Sequence, residues 1–354
     1  GAASSISILA GNGQKAAPLF AFSKSLQVAA LDNQGSPVSG VSVSFTAPAS
    51  GPSGTFADTG GNTTSATSDE YGIATASTLV ANDQFGSYVV SASASGVGSV
   101  DFNMSNAVWY VATTGDDSNS CTTIGSPCLT MNGVISKAAS GDSVFVASGT
   151  YTGSDSEVVL IDKDISLYGG WEAGFASQTG TSIIDGQASR RGITVNYFIS
   201  AVLERFTIQN GVGGIFNGGT LTIGSSTIKG NTAGSAGGGI LNTGTLTLNN
   251  STVSENSGSD GGGIANGGVW TSTPSIMVIN NSTISKNNGD GGSGIENGPS
   301  GTLHLNNTTV SGNTSASSFS GGIHNHSGGY VMLQNTIVAG NTEEGTPSDC
   351  YGKI

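Results

Sequence analysis

The feature that most constrains this chain is a repeated motif in its C-terminal half. Residues 237–256 read GGGILNTGTLTLNNSTVSEN, and residues 261–287 read GGGIANGGVWTSTPSIMVINNSTISKN, which is the same motif with an insertion of seven residues. Each copy has a Gly-rich motif that ends in Ile-x-Asn, then a Thr-rich segment typical of a strand, then a second motif that ends in Asn. A chain with this pattern is a repeat protein whose repeating units are shorter than a domain.

Equivalent residues recur at steps of about 20–31 positions from residue 200 onward, so each unit is one coil with loops of variable length. A coil of this length is too short to bury its own apolar residues and becomes stable only by stacking on its neighbours. Three internal apolar columns are expected: Ile215, Ile240, Ile264, Ile295 and Ile323; Ile228, Val253, Ile284, Val310 and Ile337; and Leu221, Leu246, Val278, Leu303 and Val331. Three strand faces around one narrow core predict a right-handed parallel β-helix, since the strict hexapeptide period of a left-handed helix is absent.

Two further columns consist of asparagine. They are Asn217, Asn242, Asn266, Asn297 and Asn325, and Asn231, Asn256, Asn287, Asn313 and Asn341. Asn tolerates left-handed backbone angles, and its amide can bond its own turn. In register, each amide can also bond the amide of the next coil, as in the Asn ladders of stacked sheets. We therefore predict a structural role for these residues rather than a ligand-binding one.

The GGIxN and (I/V)xxN words resemble the repeats of polymorphic outer-membrane proteins and similar bacterial β-helix surface proteins. The segment from WYVATTGDDSNSC to ISLYGGW, residues 109–171, resembles the start of pectate-lyase-like β-helix domains in large secreted proteins. In those domains a short helix caps the solenoid, and LTMNGVISKAASG at 129–141 has the matching apolar spacing. The resemblance covers 109–354 and implies the fold and an exported setting. Lyases, hydrolases, esterases and non-enzymes share this fold, so the resemblance implies no activity.

The N-terminal part has a different pattern. Alternating strands at 25–32, 41–48, 72–80 and 86–94 are separated by turn signals, which predicts a β-sandwich. LDNQGSPVSGVSVSFTAP and SDEYGIATAS resemble bacterial Ig-like domains of the invasin and intimin type. That resemblance implies a rigid stalk module. The predicted fold class is therefore all-β, with an Ig-like β-sandwich and a right-handed parallel β-helix.

The predicted domains follow from these two patterns. The sandwich spans residues 1–106 and the β-helix spans 107–354. Within the β-helix, residues 107–152 form the capping segment and residues from about 153 to 354 form the repeats.

Charge narrows the function classes. The net charge is −13 with only 10 Lys and Arg, which argues against a nucleic-acid partner. Plentiful strand and turn residues at low charge argue against simple disorder. No apolar run reaches about 18 residues, so no membrane span is expected. The opening GAASSISILAG suits either a mature N-terminus after signal cleavage or the boundary of a shorter segment.

The three cysteines suggest a local disulfide. Cys121 and Cys128 bracket the turn-rich loop CTTIGSPC, and a bridge there fits an exported protein. Two free thiols are the alternative, whereas metal binding lacks a nearby His or further Cys. Cys350 is left over. Its partner lies beyond Ile354, in another subunit, or nowhere.

Asn-x-Ser/Thr sequons occur in the sandwich and in the repeats. The ten positions are Asn62, Asn103, Asn249, Asn250, Asn280, Asn281, Asn306, Asn307, Asn313 and Asn325. Turn chemistry accounts for Asn and Thr here without a glycan. Glycosylation of a secreted chain is the other interpretation, and it concerns Asn62, Asn103, Asn250, Asn281, Asn307, Asn313 and Asn325 in particular.

No catalytic constellation is readable. Asp162, Asp164, Asp185, Asp260 and Asp290 are scattered, and the adjacent Arg190 and Arg191 would point to opposite faces of a strand. His324 and His326 share a strand face and His304 precedes them by one coil. A metal site at these histidines is the sharper interpretation, and exposed strand positions are the plainer one. We predict no catalytic residue, no cofactor and no metal.

No capping helix or polar coil is readable near SDCYGKI, residues 348–354. Either the native chain continues, or this end docks on another subunit in a head-to-tail filament to which a neighbour's GAASSISILAG adds a strand. The predicted function is a non-enzymatic, secreted bacterial structural protein. It would be a surface adhesin or a subunit of a homopolymeric fibre, in contact with carbohydrate or a host cell surface.

The alternative function is a polysaccharide-binding or polysaccharide-degrading module with the solenoid face as its groove. Aromatic side chains would have to line that groove. The candidates are Tyr168, Trp171, Trp270 and Tyr330, which are widely dispersed in the sequence.

Overall fold

The computed structural model describes residues 1–267, 274–316 and 319–354. They divide into two compact units, residues 1–109 with 138–144 and residues 110–137 with 145–354. Nearly all regular structure is β-strand. Within the described residues, no helix combines the length and the apolar character that crossing a membrane requires.

The first unit is a small sandwich whose strands pair antiparallel, except that Lys15–Ala16 pairs in parallel with Gly98–Asn106. One sheet contains Ser5–Ala10, Gln27–Leu31 and Ile73–Thr75. The second has the order Lys15–Ala16, Gly98–Asn106, Gly86–Ala94, Ser42–Thr46 and Thr63–Thr67, and Gly54–Phe56 pairs separately with Leu79–Ala81. Phe45, Phe56 and Phe102 are fully buried between them. Alternation correctly identified the strands within 25–32, 41–48 and 86–94, whereas the segment expected as one strand at 72–80 forms two short ones. The remaining strands, among them Ser5–Ala10, Thr63–Thr67 and Gly98–Asn106, were not predicted.

The solenoid consists of three long parallel sheets, and from Asp142–Ala147 onward each coil supplies one strand to each sheet, with Trp109–Val111 as an additional first strand of sheet 1. Sheet 1 contains Trp109–Val111, Asp142–Ala147, Ile165–Trp171, Ser200–Glu204, Thr220–Gly224, Thr245–Asn249, Ser275–Asn280, Gly301–Asn306 and Tyr330–Gln334. Sheet 2 contains Gly149–Tyr151, Ser182–Asp185, Phe206–Gln209, Thr227–Lys229, Thr252–Ser254, Thr283–Ser285, Thr309–Ser311 and Ile337–Ala339. Sheet 3 contains Glu157–Ile161, Arg191–Val195, Ile215–Asn217, Ile240–Asn242, Ile264–Asn266, Ile295–Asn297, Ile323–Asn325 and Cys350–Tyr351. This stacking is a parallel β-helix, as the repeat period predicted.

A smaller sheet is formed by short strands that lie between the sheet 2 strand and the sheet 3 strand of successive coils. Ser257–Gly258, Asn288–Gly289, Thr314–Ser315 and Thr342–Glu343 pair in parallel, and Thr346–Pro347 joins them antiparallel. These two-residue strands extend the inter-coil hydrogen bonding beyond the three main sheets.

The strand register decides which residues form the core. The Ile column from Ile215 to Ile323 is in register, and all of its members are buried. Two expected members of the other columns are wrong. Met277, not Val278, follows Leu246 in sheet 1, because the insertion before this strand hides its start in the sequence. Val338, not Ile337, follows Val310 in sheet 2. Val338 lies three residues after Asn335 and three before Asn341, as Val310 lies between Asn307 and Asn313, and the neighbouring apolar Ile337 was taken for the core residue.

The helix is shorter than the sequence predicted, since it spans Met131–Ile135 and not the whole stretch to Gly141. Thr130 is its N-cap and accepts a hydrogen bond from the Gly133 amide. Asp117 in turn accepts hydrogen bonds from the backbone amide and the hydroxyl of Thr130. Asn132 bonds the backbone of Glu157–Ile161, so the helix lies over the first strand of sheet 3.

Candidate functional site: a buried carboxylate and two histidines

One column of sheet 3 carries a cluster of ionisable side chains. The middle residue of each short strand lies on the face opposite to the core Ile, because side chains alternate along a strand. In register, this column reads Leu160, Thr194, Phe216, Leu241, Ala265, Glu296, His324 and Tyr351. It therefore changes from apolar to ionisable between two neighbouring coils, at Ala265 and Glu296.

Glu296 lies at the centre of a cluster with two histidines. Its Oε1 is 3.0 Å from Nδ1 of His324, its cross-strand neighbour. The same oxygen contacts Nε2 of His326, whose ring centroid is 4.2 Å from that of His324. Glu296 and His324 are 2% and 4% exposed, and the His326 side chain is 27% exposed. A buried carboxylate thus faces two imidazoles, one of which reaches solvent.

The surroundings hold this cluster in place. The backbone amide of Gly292 donates a hydrogen bond to Oε2 of Glu296. Phe319 stacks on the His324 ring at 4.8 Å with an interplanar angle of 12°, and Tyr351 meets the same ring edge-on at 5.2 Å. Asp260 and Asp290 add negative charge nearby, since Asp260 interacts electrostatically with both Asp290 and Glu296.

The ionisation of the cluster follows from these contacts. Burial raises the pKa of Glu296, but hydrogen bonds from His324 and His326 outweigh burial and hold the pKa below its ordinary value. The hydrogen bond to Glu296 raises the pKa of His326, against the opposing effect of burial. Burial, with the charge of Glu296, raises the pKa of Asp260. These shifts favour an ionised Glu296 carboxylate hydrogen-bonded to a protonated His326 imidazole.

The sequence anticipated only part of this site. It paired His324 with His326, but His304 lies elsewhere, in sheet 1, with its ring 5.8 Å from Tyr330. Glu296 and its role were missed. The available signal was the motif alignment, since SGIEN and GGIHN place Glu296 and His324 at the same position of consecutive coils.

The asparagine columns form continuous hydrogen-bonded ladders. The amide of Asn217 donates to Oδ1 of Asn242 at 2.7 Å, and the same contact repeats through Asn266 and Asn297 to Asn325 at 2.8 Å. The second column runs from Asn231 through Asn256, Asn287 and Asn313 to Asn341 with distances of 2.8–3.0 Å. All ten side chains are buried.

A left-handed backbone is not the reason for these asparagines, which corrects one part of the sequence argument. The non-glycine residues with positive φ include Asn210, Asn250, Asn281, Asn307 and Asn335, with φ between 46° and 53°, and no ladder asparagine is among them. Glycine is required beside the ladder for space. A Cβ on Gly239 would lie 2.6 Å from the Gly263 carbonyl oxygen and 2.9 Å from the Asn256 amide nitrogen.

Burial separates the sequons into two groups. Asn103, Asn250, Asn281 and Asn307 are exposed and Asn62 is half-buried. Asn313 and Asn325 are buried, and their amides belong to the ladders. These two positions are therefore closed to a glycan in the folded protein, contrary to the sequence-based possibility. Asn249, Asn280 and Asn306 form a partly buried ladder of their own.

The cysteines occupy two different settings. Cys121 and Cys128 form a disulfide and are both fully buried. Cys350 is free and exposed, and it pairs in register with Ile323. It thus continues the core Ile column, which accounts for an apolar thiol at this position. Although Cys350 is exposed, neighbouring atoms shield its thiol from part of the solvent, and this desolvation together with the charge of Asp349 raises the pKa of the thiol.

The aromatic residues singled out in the sequence do not form one groove. Tyr168 and Trp171 pack on Phe145, with the Trp171 ring stacked at 3.9 Å. Tyr330 lies at the other end of sheet 1, beside His304. Trp270 lies outside the described residues.

A different aromatic patch is formed by Phe216 of sheet 3 and by Tyr197 and Phe198, in the turn that follows the sheet 3 strand Arg191–Val195. Tyr197 is 56% exposed and Phe198 is 98% exposed, with ring centroids 6.5 Å apart. Phe216 lies 6.0 Å from Tyr197, and the Arg191 guanidinium lies 5.6 Å from the Phe216 ring. Arg191 and Val212 line a cavity of about 110 Å³, and Val212 also borders a groove of about 640 Å³.

Comparisons with known proteins identify no family for this chain. No family model and no curated protein matches the sequence. Among solved structures, the chain is similar to one described as the crystal structure of pectate lyase Pel9A, with 16% identity, a TM-score of 0.43 and coverage of 70% of this chain and 78% of that one. It is also similar to a rhamnogalacturonan lyase, with 13% identity, a TM-score of 0.25 and coverage of 66% and 86%. At this level, neither similarity assigns an activity to this chain.

Proposed function

We propose that this chain is a non-enzymatic extracellular structural protein, in which the solenoid is a stiff rod within a bacterial surface adhesin or fibre. The observation that carries the proposal is the pair of buried asparagine ladders, which tie each coil to the next from Asn217 to Asn341. A buried amide must find a partner, so each coil depends on the coil beside it. Bending or sliding at any step would break bonds in both ladders at once.

The same regularity supports self-association as the mode of assembly. Each coil meets the next through equivalent backbone ladders and equivalent Asn contacts. A coil from a second copy would therefore meet the donors and acceptors that a neighbouring coil of the same chain meets. A head-to-tail contact of this kind builds a filament when its rotation does not close.

The disulfide supports the extracellular part of the proposal, since disulfides persist in oxidising compartments. The non-enzymatic part is tested by incubating the purified protein with pectic and other polysaccharides, with and without Ca²⁺, and analysing the products by chromatography and ultraviolet absorbance. The expected result is no shortening of any chain and no unsaturated product. Release of shortened chains or of unsaturated products in proportion to protein concentration would contradict the proposal.

A second candidate function is polysaccharide binding, which the exposed patch of Tyr197, Phe198 and Phe216 favours. Exposed rings offer flat apolar surface to the C–H faces of sugars, and the Arg191 guanidinium offers hydrogen bonds to hydroxyl or carboxylate oxygens. The groove beside Val212 gives room for a chain to continue along the solenoid.

Affinity electrophoresis in gels containing neutral or uronic-acid polysaccharides tests this candidate. Retardation of the wild type, reduced by the double substitution Tyr197→Ala and Phe198→Ala, is the expected result. Tyr330→Ala is the matched control, because Tyr330 is equally exposed but lies in sheet 1. Equal mobility of all three proteins in every gel would exclude the candidate.

A further inference from the structure

The cluster of Glu296, His324 and His326 has the composition and spacing of a metal site. Each residue offers one ligand atom, and these atoms lie within 4.8 Å of one another. We propose that the three side chains bind a divalent first-row transition metal ion, with Zn²⁺ as the representative ion.

The donor set selects this class of ion. Two imidazole nitrogens and one carboxylate oxygen suit zinc and its neighbours, whereas Ca²⁺ and Mg²⁺ prefer oxygen ligands throughout. Zinc needs ligand distances of about 2.0–2.2 Å. The Glu296 Oε1 and His324 Nδ1 atoms are 3.0 Å apart, so small side-chain movements bring the donors to their positions around one ion.

Metal binding displaces protons in this cluster. The hydrogen bonds from the two histidines to Glu296 use the same lone pairs that a metal would use. On binding, Glu296 stays ionised and each imidazole binds in its neutral form. The ligating nitrogens of His324 and His326 give up the protons that they share with Glu296, the other nitrogen of each ring carries the remaining proton, any excess proton goes to solvent, and each ligating nitrogen donates its lone pair to the ion. Affinity therefore falls as the pH is lowered. Asp260 and Asp290 add negative charge that favours a cation.

The surroundings pre-orient the ligands. The Gly292 amide holds the second carboxylate oxygen of Glu296, and Phe319 stacks on His324. Partners of this kind contribute to metal affinity by keeping the ligands in one orientation. The exposed fraction of His326 gives the ion a path from solvent and leaves a further coordination position for water.

The ligands belong to two neighbouring coils, because Glu296 lies in Ile295–Asn297 and His324 in Ile323–Asn325. A bound ion would therefore cross-link the two neighbouring coils on the side of sheet 3 that faces away from the core. Since the ion binds only the folded arrangement, it stabilises the solenoid by mass action.

The test uses tag-free full-length protein stripped with a chelator and titrated with Zn²⁺ by calorimetry and with Co²⁺ by visible absorption. One equivalent is expected to bind, and the Co²⁺ complex is expected to show the intense ligand-field bands of a low-coordinate nitrogen and oxygen site. Zn²⁺ is also expected to raise the thermal midpoint. Co²⁺ binding is expected to weaken at least ~10-fold in His326→Gln.

His304→Gln is the matched control, since it removes a histidine of sheet 1 and leaves the cluster intact. It should bind as the wild type does. Glu296→Gln should abolish binding, and His326→Gln decides the outcome if the buried substitution prevents folding, because His326 is partly exposed. Absence of saturable one-equivalent binding in the wild type, or unchanged binding in His326→Gln, overturns the proposal.

Discussion

The side-chain amide of Asn256 donates a 3.0 Å hydrogen bond to Oδ1 of Asn287, which lies 31 residues further along the chain. The backbone amide of Asn256 donates to the same oxygen at 3.0 Å. Asn256 therefore accepts a hydrogen bond from Asn231 in the preceding coil and donates one to Asn287 in the following coil. Both side chains are buried, so each of these contacts is made away from water.

Replacing one ladder residue is expected to destabilise the whole solenoid. Asn256→Ala leaves the backbone amide of Asn231 and the carbonyl oxygen of Ile228 without their side-chain partner. Each buried group left unpaired costs about 1–3 kcal/mol, so the free energy of unfolding in urea should fall by at least that amount. Asn288→Ala is the control, because Asn288 is exposed. Equal stability of the two variants would show that the ladder does not couple the coils.

The register in sheet 1 is tested by two adjacent substitutions. Met277→Ala removes a fully buried side chain from the core column and should lower the free energy of unfolding by about 2–5 kcal/mol. Val278→Ala should change it by less than about 0.5 kcal/mol, since Val278 lies on the outer face opposite His304. A larger effect at Val278 than at Met277 would mean that the strand is shifted by one residue.

The disulfide should contribute measurably to stability. Cys121→Ala with Cys128→Ala removes a bridge between residues seven positions apart, and the loss of unfolded-state constraint predicts about 2–3 kcal/mol. Thermal unfolding with and without reductant measures the difference. Cys350→Ala serves as the control because this thiol is free. A wild type that is indifferent to reduction would contradict this expectation.

The cluster should give the chelated, metal-free protein a pH-dependent stability. The pKa of Glu296 is lowered on folding, so its contribution is present above about pH 4.5 and is lost as the pH falls through the folded pKa. The pKa of His326 is raised, so its contribution is present below about pH 6.5 and is lost as the pH rises through the folded pKa. Stabilisation by this pair is therefore greatest between about pH 4.5 and 6.5.

Urea unfolding of the wild type and of Glu296→Gln across this range isolates the effect. Subtracting the two free energies of unfolding cancels the contributions of the carboxyl groups that both proteins share. The difference between the two proteins should be largest inside the window and should shrink on both sides. His304→Gln should follow the wild type. A difference that is the same at every pH would show that Glu296 does not interact with a titrating partner.

The sequence was sufficient for the fold because the repeat carries its own register. Ile215 and its equivalents each precede an asparagine by two positions, and that spacing puts one residue type into the core and the other into a ladder. Where an insertion interrupts the repeat, the inference failed, since the extra residues before Ser275–Asn280 obscured Met277. In the last copy the spacing is unchanged, and the adjacent apolar residues Ile337 and Val338 led to the wrong choice of core residue.

The candidate site was harder to predict because its key residue breaks the pattern. The positions equivalent to Glu296 are Leu241 and Ala265 in the preceding coils, so nothing in the repeat anticipates a carboxylate there. Only the pairing of two coils brings Glu296 against His324. His326 joins them from the turn after its strand, a placement that periodicity does not determine.

Negative-stain electron microscopy of the purified tag-free protein over a concentration series tests the proposed structural role most directly. The expected result is stiff rods that join end to end into filaments as the concentration rises, with an axial repeat of one subunit. Discrete rods at every concentration, with no filaments, would contradict self-assembly into a fibre, and particles without a rigid rod would contradict the structural role itself.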